Sequence, residues 1–188
     1  MLYVLILALL AQAPTASRPP AAKTPDACAL LTDADVRTVL GVTVKERQPG
    51  TQQARGLLLS QCYLGTGTPR SVSIAVAGNT RSGGKTVTPR AFWRDQFHRR
   101  DEHAAGRKGE KHEAARNGEK RDQEGETEAR PIDGVGDEAF WSGSRVAGAL
   151  YVLRGNTFIR VSVGGMSDEK ERIEKSRQLA LIALTRLQ

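Results

Sequence analysis

Three histidines are the side chains of this sequence best suited to hold a metal ion. His98, His103 and His112 lie among carboxylates, and imidazole with carboxylate is the donor set of many zinc sites. If this segment is helical, His98 and His103 are five residues apart and point about 140° away from each other. A zinc site on a helix uses the i, i+4 spacing, which brings two imidazoles to one face. The sequence therefore predicts no metal site and no cofactor.

A nucleophile with a positioned base is equally hard to find. The chain contains no Gly-x-Ser-x-Gly motif, and its histidines fall in a strongly charged segment that lacks large apolar side chains. Asp137 and Glu138 are adjacent carboxylates, but neighbouring residues of a strand point to opposite faces of a sheet. We therefore predict that the protein has no catalytic residues and is not an enzyme. A small secreted hydrolase with an unrecognised site remains the alternative.

Gly84-Lys85-Thr86 is similar to the end of a phosphate-binding loop. That motif needs a glycine five residues before its second glycine, and Asn79 occupies this position. Pro89 also falls inside the helix that would have to follow such a loop. A solvated loop over residues 78–87 is the better interpretation.

The amino terminus predicts export. Residues 1–13 are almost entirely apolar; they are too few to cross a bilayer as a stable helix but suit the apolar core of a secretory signal. We assign residues 1–16 to a signal peptide. Residues 17–25 are rich in Pro and Ala and are predicted to be a flexible tether.

The two cysteines fit an oxidising compartment. Cys28 and Cys62 are a small, even set, which after export predicts a disulfide bond between them. The residues before Cys28 do not form the Leu-small-small sequence of a lipid-attachment site. We therefore expect a secreted or periplasmic protein with no stable membrane anchor after signal cleavage.

Length and composition predict one ordinary domain over residues 26–188. The chain has 188 residues, of which 39% are hydrophobic and 26% charged, as in most globular proteins. The net charge of +7 could attract nucleic acid, but no compact run of Lys and Arg is present, so we expect no nucleic-acid partner. Residues from about 105 to 128 are charged and lack large apolar side chains, which predicts a mobile insert.

Capping signals and alternating apolar residues predict three helices and about six strands. The N-terminal, middle and C-terminal helices start at Thr32, at Thr88-Pro89 and near Asp168. The predicted strands are residues 42–50, 57–64, 71–77, a strand that follows Gly136, and residues 149–154 and 157–163. Successive strands joined by short turns predict an α+β fold, with an antiparallel sheet and the helices packed on it.

The last two strands supply the site hypothesis. Gly155-Asn156 is a two-residue turn signal, and the register it sets gives one apolar face that should be core, made of Leu150, Val152, Ile159 and Val161. The other face carries Tyr151, Leu153, Phe158 and Arg160, and we place Trp141 beside it. Aromatic surface around one cation suits an amphipathic or anionic ligand. The candidate ligand-binding residues are therefore Trp141, Tyr151, Phe158 and Arg160; the alternative is that a helix covers this face and that Arg160 stacks on Tyr151.

The order of several short motifs resembles a known family. The motifs are Cys28, the helix start over residues 30–36, Leu40-Gly41, Cys62-Tyr63 and the glycine-rich residues 134–139 ahead of the hairpin. Together with the export segment they resemble the small exported bacterial proteins of the domain-of-unknown-function 3558 type, which are similar in turn to extracellular sensor domains of bacterial Ser/Thr kinases. The resemblance implies an antiparallel sheet with helices and an envelope role, and it supplies no catalytic residues. Many members are lipoproteins, whereas this chain lacks the lipid-attachment cysteine.

These observations together predict an exported, non-enzymatic binding or sensing module of the bacterial cell envelope. Its partner is expected to be a small molecule or an envelope protein. A protein–protein adaptor that uses the charged insert is a further alternative.

Overall fold

A computed structural model describes residues 24–82, 85–98 and 129–187 of the chain. The predicted signal peptide, all but the last two residues of the predicted tether, and the predicted charged insert at 105–128 lie outside the described residues. His103 and His112 lie outside them as well.

Seven strands of the described residues form one antiparallel sheet. They are β1 (Glu46–Ala54), β2 (Leu57–Gly65), β3 (Ser71–Gly78), β6 (Arg130–Pro131), β7 (Glu138–Gly143), β8 (Gly148–Arg154) and β9 (Thr157–Gly164). Across the sheet they lie in the order β1-β2-β3-β9-β8-β7-β6. The first and second halves of the chain therefore join at the pairing of β3 with β9, near the centre of the sheet.

Three α-helices of the described residues pack on this sheet, which confirms the predicted α+β class. They are α1 (Asp33–Leu40), α2 (Pro89–Phe97) and α3 (Glu169–Leu184), and a short 3-10 helix, Ala27–Ala29, precedes α1. Each α-helix begins where a capping side chain predicts it: the side chains of Thr32, Thr88 and Asp168 each accept a hydrogen bond from a backbone N–H of the first turn.

The sheet separates two hydrophobic clusters. The larger cluster contains residues of α1 and α3 and the sheet face that includes Leu150, Val152, Ile159 and Val161. The smaller cluster lies on the opposite face, where Trp93 of α2 packs with residues of β2, β3, β8 and β9. The predicted hairpin register is confirmed, because Leu150 pairs with Val161 and Val152 with Ile159.

The first strand differs from its prediction. It was expected over residues 42–50 with a polar loop behind it, but β1 spans Glu46–Ala54 and passes through Pro49-Gly50. Proline is tolerated because β1 is an edge strand, where a missing N–H on the outer side removes no ladder hydrogen bond. The loop shrinks to Arg55 and Gly56, both with positive φ.

The predicted loop over residues 78–87 is also wrong. It contains two three-residue strands, β4 (Thr80–Ser82) and β5 (Lys85–Val87), which pair with each other as a separate ribbon. Strands this short carry no alternating apolar pattern, so the sequence gives no signal for them. Lys85 therefore opens a strand, whereas a phosphate-binding loop would need a helix there.

The C-terminal helix buries different residues from those expected in its first turns. The first large apolar residue of α3 is Ile173, but the fully buried side chains of the first two turns are Arg172 and Ser176. Farther along, Leu179, Ala180, Ala183 and Leu184 are buried, in agreement with a more apolar end. An apolar periodicity cannot reveal a cation on the inner face of a helix.

The predicted disulfide is present. Cys28 and Cys62 are bonded across a sequence separation of 34 residues, and the bond ties the 3-10 helix to β2. Cys62 is fully buried and belongs to the larger hydrophobic cluster.

Replacing both cysteines with alanine should lower the free energy of unfolding by roughly 3–4 kcal/mol, because the unfolded chain regains the freedom of a loop of this length. The urea midpoints of the oxidised protein and of Cys28→Ala/Cys62→Ala measure the difference. Peptide mapping without reductant should find the cross-link, and equal midpoints would contradict a stabilising role.

Asp35 fixes the two ends of the described chain to each other. Its carboxylate accepts hydrogen bonds from the backbone N–H and hydroxyl of Thr32 at 2.7 Å each, and Arg186 lies 2.8 Å away. Burial raises the pKa of Asp35, but the hydrogen bonds from Arg186 and Thr32 outweigh this effect and hold the pKa at about 2.

A carboxyl group with a lowered folded-state pKa stabilises the fold above its unfolded-state pKa and loses this contribution as pH falls through the folded value. Asp35→Asn should therefore destabilise the protein by about 1–2 kcal/mol at pH 7. The difference in the free energy of unfolding between Asp35→Asn and the wild type should shrink as the pH falls from about 4 to about 2. Urea unfolding across this range measures the effect, with exposed Asp133→Asn as control; a constant difference would exclude titration of Asp35.

Candidate functional site

Helix α2 covers one end of the sheet face that carries the predicted site. Phe92 stacks on Phe158 with ring centroids 5.4 Å apart, and Phe97 stacks on Phe140 at 4.7 Å. Under this helix Leu153 and Phe158 are only 1% and 4% exposed. The predicted site residue Phe158 is therefore core, as the alternative interpretation expected.

Tyr151 marks the boundary of the covered region. Its ring meets Phe97 of α2 edge-on at 5.6 Å, and its hydroxyl accepts a hydrogen bond from Nε of Arg160 at 3.3 Å. The guanidinium carbon of Arg160 also lies 5.8 Å from the centroid of the Tyr151 ring, within the range of a cation–π contact. The structure thus brings together two of the predicted site residues, Tyr151 and Arg160, and fixes the cation on the aromatic ring.

Beyond Arg160 the same sheet face is lined by small polar side chains. Ser162 follows Arg160 on this face of β9, its cross-strand neighbour on β3 is Ser73, and Tyr63 of β2 lies opposite Ser73. Ala75 lies opposite Arg160. We call the residues Tyr63, Ser73, Tyr151, Arg160 and Ser162 the open face.

Ser162 and Tyr63 of the open face differ in their exposure and in their partners. Ser162 donates a hydrogen bond to the carbonyl of Gly148 at 2.6 Å, and Tyr63 is 41% exposed. The ring of Tyr63 lies over Gly65, where an added Cβ would meet its Cε1 at 3.1 Å.

Trp141 does not belong to this face, and its predicted place beside Tyr151 and Arg160 is wrong. It pairs with Leu150, is fully buried, and packs in the larger cluster under α3. Its indole donates a hydrogen bond to Oε1 of Glu169 at 3.0 Å. Strand alternation explains the error, because Phe140, the neighbour of Trp141, is the residue that pairs with Tyr151.

A second polar cluster lies at the C-terminal end of α2. Oε2 of Glu138 accepts a hydrogen bond from the buried indole of Trp93 at 2.9 Å and lies 2.7 Å from Nε2 of His98. The Trp93 bond lowers the pKa of Glu138, burial opposes this, and His98 lowers it further. Asp137 accepts a bond from the Gly155 N–H at 2.7 Å. Both carboxylates thus have structural partners.

The described residues offer no grouped metal ligands. Within residues 24–82, 85–98 and 129–187, no three side chains of His, Cys, Asp and Glu lie close enough to hold a metal ion. No helix among them is long and apolar enough to cross a membrane.

Sequence reasoning missed the residues of the open face that come from β2 and β3. Ser73 alternates with Val72 and Ile74, so its strand pattern does reveal that it points away from the core. The sequence does not reveal that β3 pairs with β9 and so places Ser73 beside Ser162.

Comparisons of this chain with protein-family models, with curated proteins and with solved structures find no match.

Truncating the covered and open parts of this face should have different effects. Phe158→Ala should cost about 3–5 kcal/mol, because it removes a buried ring that two residues of α2 contact. Arg160→Ala should cost less than about 1 kcal/mol, the size of a partly exposed cation–π contact. Urea unfolding of both variants measures the difference. Equal losses would show that Arg160 is part of the core.

Proposed function

We propose that this protein is an exported, non-enzymatic binding or sensing module that takes an anionic organic ligand on the open face. The observation that supports this most is the state of Arg160. The Nε of Arg160 donates a hydrogen bond to the Tyr151 hydroxyl, whereas the two terminal nitrogens of Arg160 donate to no atom of the described residues.

A guanidinium in this position suits an anion with two oxygens. Its planar N–H groups match carboxylate, phosphate and sulfonate, and partial desolvation by the sheet strengthens such a bond. The stack on Tyr151 reduces the side-chain entropy that binding would otherwise cost. Arg160 is therefore the proposed anion anchor.

The remainder of the ligand would lie across the small side chains toward Tyr63. Ser73 offers a hydroxyl group, the Ser162 hydroxyl can only accept because it donates to the Gly148 carbonyl, and the exposed ring of Tyr63 offers apolar surface. A flat, partly apolar molecule with one acidic group fits these features best.

The composition of the open face supports the proposal of binding without catalysis. Its five residues supply a cation and hydroxyl groups and include no histidine, cysteine or carboxylate, although the carboxylate of Glu46 lies at its edge beside the Tyr63 ring. The carboxylate of Glu138, which lies beside His98, is bonded to the buried indole of Trp93. These features support a binding module over a hydrolase.

Export remains part of the proposal. The disulfide is compatible with an oxidising compartment, and the resemblance to small exported bacterial proteins of the domain-of-unknown-function 3558 type points the same way. The adaptor alternative depends on the charged insert, which lies outside the described residues.

The anionic dye 8-anilinonaphthalene-1-sulfonate is a suitable probe, because it combines a sulfonate with a flat apolar body. Arg160→Gln should weaken its binding by about fivefold or more, since one charge-assisted hydrogen-bond pair is lost. Arg154→Gln serves as a matched control, because Arg154 is an exposed arginine at the turn end of the same hairpin. Fluorescence titration of the folded proteins measures both affinities.

An uncharged relative of the dye, N-phenyl-1-naphthylamine, separates charge from apolar contact. Arg160→Gln should leave its affinity unchanged, whereas Tyr63→Ser should weaken both probes. If Arg160→Gln binds the sulfonate as tightly as the wild type, the anion anchor is wrong. If Arg154→Gln weakens binding equally, the effect is one of net charge and the site is not on the open face.

A further inference from the structure

The disulfide between Cys28 and Cys62 has two unlike ends. Cys62 is fully buried in the larger hydrophobic cluster, whereas Cys28 is partly exposed and packs against that cluster. A thiolate attacks a disulfide at one sulfur and expels the other, so access to each sulfur and the charges around it decide the direction of exchange. Cys28 is the end of this bond that solvent reaches.

A cation lies beside the buried sulfur. Nη1 of Arg47 is 3.9 Å from Sγ of Cys62, and it donates to the carbonyls of Cys28 and Leu31 at 2.8 and 3.1 Å. Burial among apolar side chains disfavours a thiolate. A guanidinium at this distance offsets that cost, because the apolar cluster around Cys62 screens charges weakly. Arg47 therefore favours negative charge on Cys62.

Two carboxylates complete the charges around the disulfide. Asp33 pairs with Nη2 of Arg47 at 2.6 Å, whereas Nη1 is the nitrogen that contacts the sulfur. The side chain of Asp33 is 54% exposed, so water weakens its effect on Cys62. Asp26 accepts a hydrogen bond from the N–H of Cys28 at 2.9 Å. Negative charge on Cys28 would thus arise in a residue that a carboxylate already contacts, while negative charge on Cys62 would arise beside a cation.

We propose that this disulfide is a site of thiol exchange, at which a small thiol attacks Cys28 and expels Cys62. The attacking thiolate forms a bond to Sγ of Cys28, the bond between the two cysteines breaks, and its electron pair leaves on Cys62 as a thiolate beside Arg47. A second equivalent of the thiol would release Cys28 and become a small-molecule disulfide. Because Cys28 is only partly exposed, it admits a small thiol better than the active site of a protein.

The segment that carries Cys28 has further contacts that do not depend on the disulfide. The N–H of Ala27 donates to the hydroxyl of Ser60 at 3.0 Å, and Arg47 holds the carbonyls of Cys28 and Leu31. These contacts remain when the covalent bond breaks. Exchange is therefore expected in the folded protein, without global unfolding.

Peptide mapping of the wild-type protein tests the direction of exchange. The folded, oxidised protein is treated briefly with 2-mercaptoethanol and quenched with acid and N-ethylmaleimide. Adducts should lie on Cys28 at least about fivefold more often than on Cys62, because the buried sulfur is the leaving group. An even division, which exchange through global unfolding would give, or an excess on Cys62 would overturn the proposal.

Arg47→Gln tests the role of the charge, and Arg186→Gln is the matched control. Arg186 also holds the N-terminal segment, through the Leu30 carbonyl at 2.8 Å and through Asp35, but neither sulfur is among its partners in the described residues. Loss of either arginine loosens the segment, which should speed exchange, whereas loss of the charge beside Cys62 should slow it. Arg47→Gln should therefore exchange at least about threefold more slowly than the wild type, and Arg186→Gln at the wild-type rate or faster.

The appearance of free thiol in 2-mercaptoethanol, followed by alkylation and chromatography, measures these rates. Exchange of Arg47→Gln at the wild-type rate or faster would show that the cation does not assist the leaving thiolate. Equal slowing in Arg186→Gln would contradict a role specific to Arg47. Circular dichroism checks that both variants are folded; should Arg47→Gln fail to fold, the mapping of the wild-type protein decides alone.

Discussion

The antiparallel pairing of β3 with β9 is the constraint on which the rest of the structure depends. It runs from Ser71 opposite Gly164 to Ala77 opposite Phe158 and joins the first half of the chain to the second. Because strand side chains alternate between faces, this register decides both faces at once. Ile74 meets Val161 on the core side, while Ala75 meets Arg160 on the other. A slip of one residue would bury Arg160 and expose the apolar row.

Two buried tryptophans connect helices to the two faces of the sheet, each through a hydrogen bond from its indole N–H to a glutamate carboxylate. Trp93 of α2 donates to Glu138 of β7, and Trp141 of β7 donates to Glu169 of α3. A buried indole N–H needs an acceptor, and a carboxylate at the end of an element can reach it while staying partly hydrated. Each carboxylate also meets a basic side chain, His98 or Arg130. The carboxylates of Glu138 and Glu169 therefore serve as hydrogen-bond acceptors for buried tryptophans.

Arg172 shows a different use of a polar group in the interior. Its guanidinium bonds only to backbone carbonyls of two loops, and its Nε and the hydroxyl of Ser176 have no partner among the described residues. Such a site costs stability that a well-packed apolar residue would supply. What it provides is geometry, because the β7–β8 loop and the approach to α3 are held in a fixed relation.

Local signals in the sequence determined the α+β class, the helix starts at Thr32, Thr88 and Asp168, and the register of the β8–β9 hairpin, because each depends on residues close in the chain. The disulfide was also predictable, because the sequence contains only two cysteines. The position of β1 at the edge of the sheet allows it to pass through Pro49. That position depends on which strands pair, so the sequence alone could not predict it. The candidate site was half predicted: Tyr151 and Arg160 meet as adjacent hairpin strands require. Only the tertiary structure decided that α2 buries Phe158, that Trp141 lies on the far face, and that Ser73 joins Ser162, since these follow from contacts between segments distant in sequence.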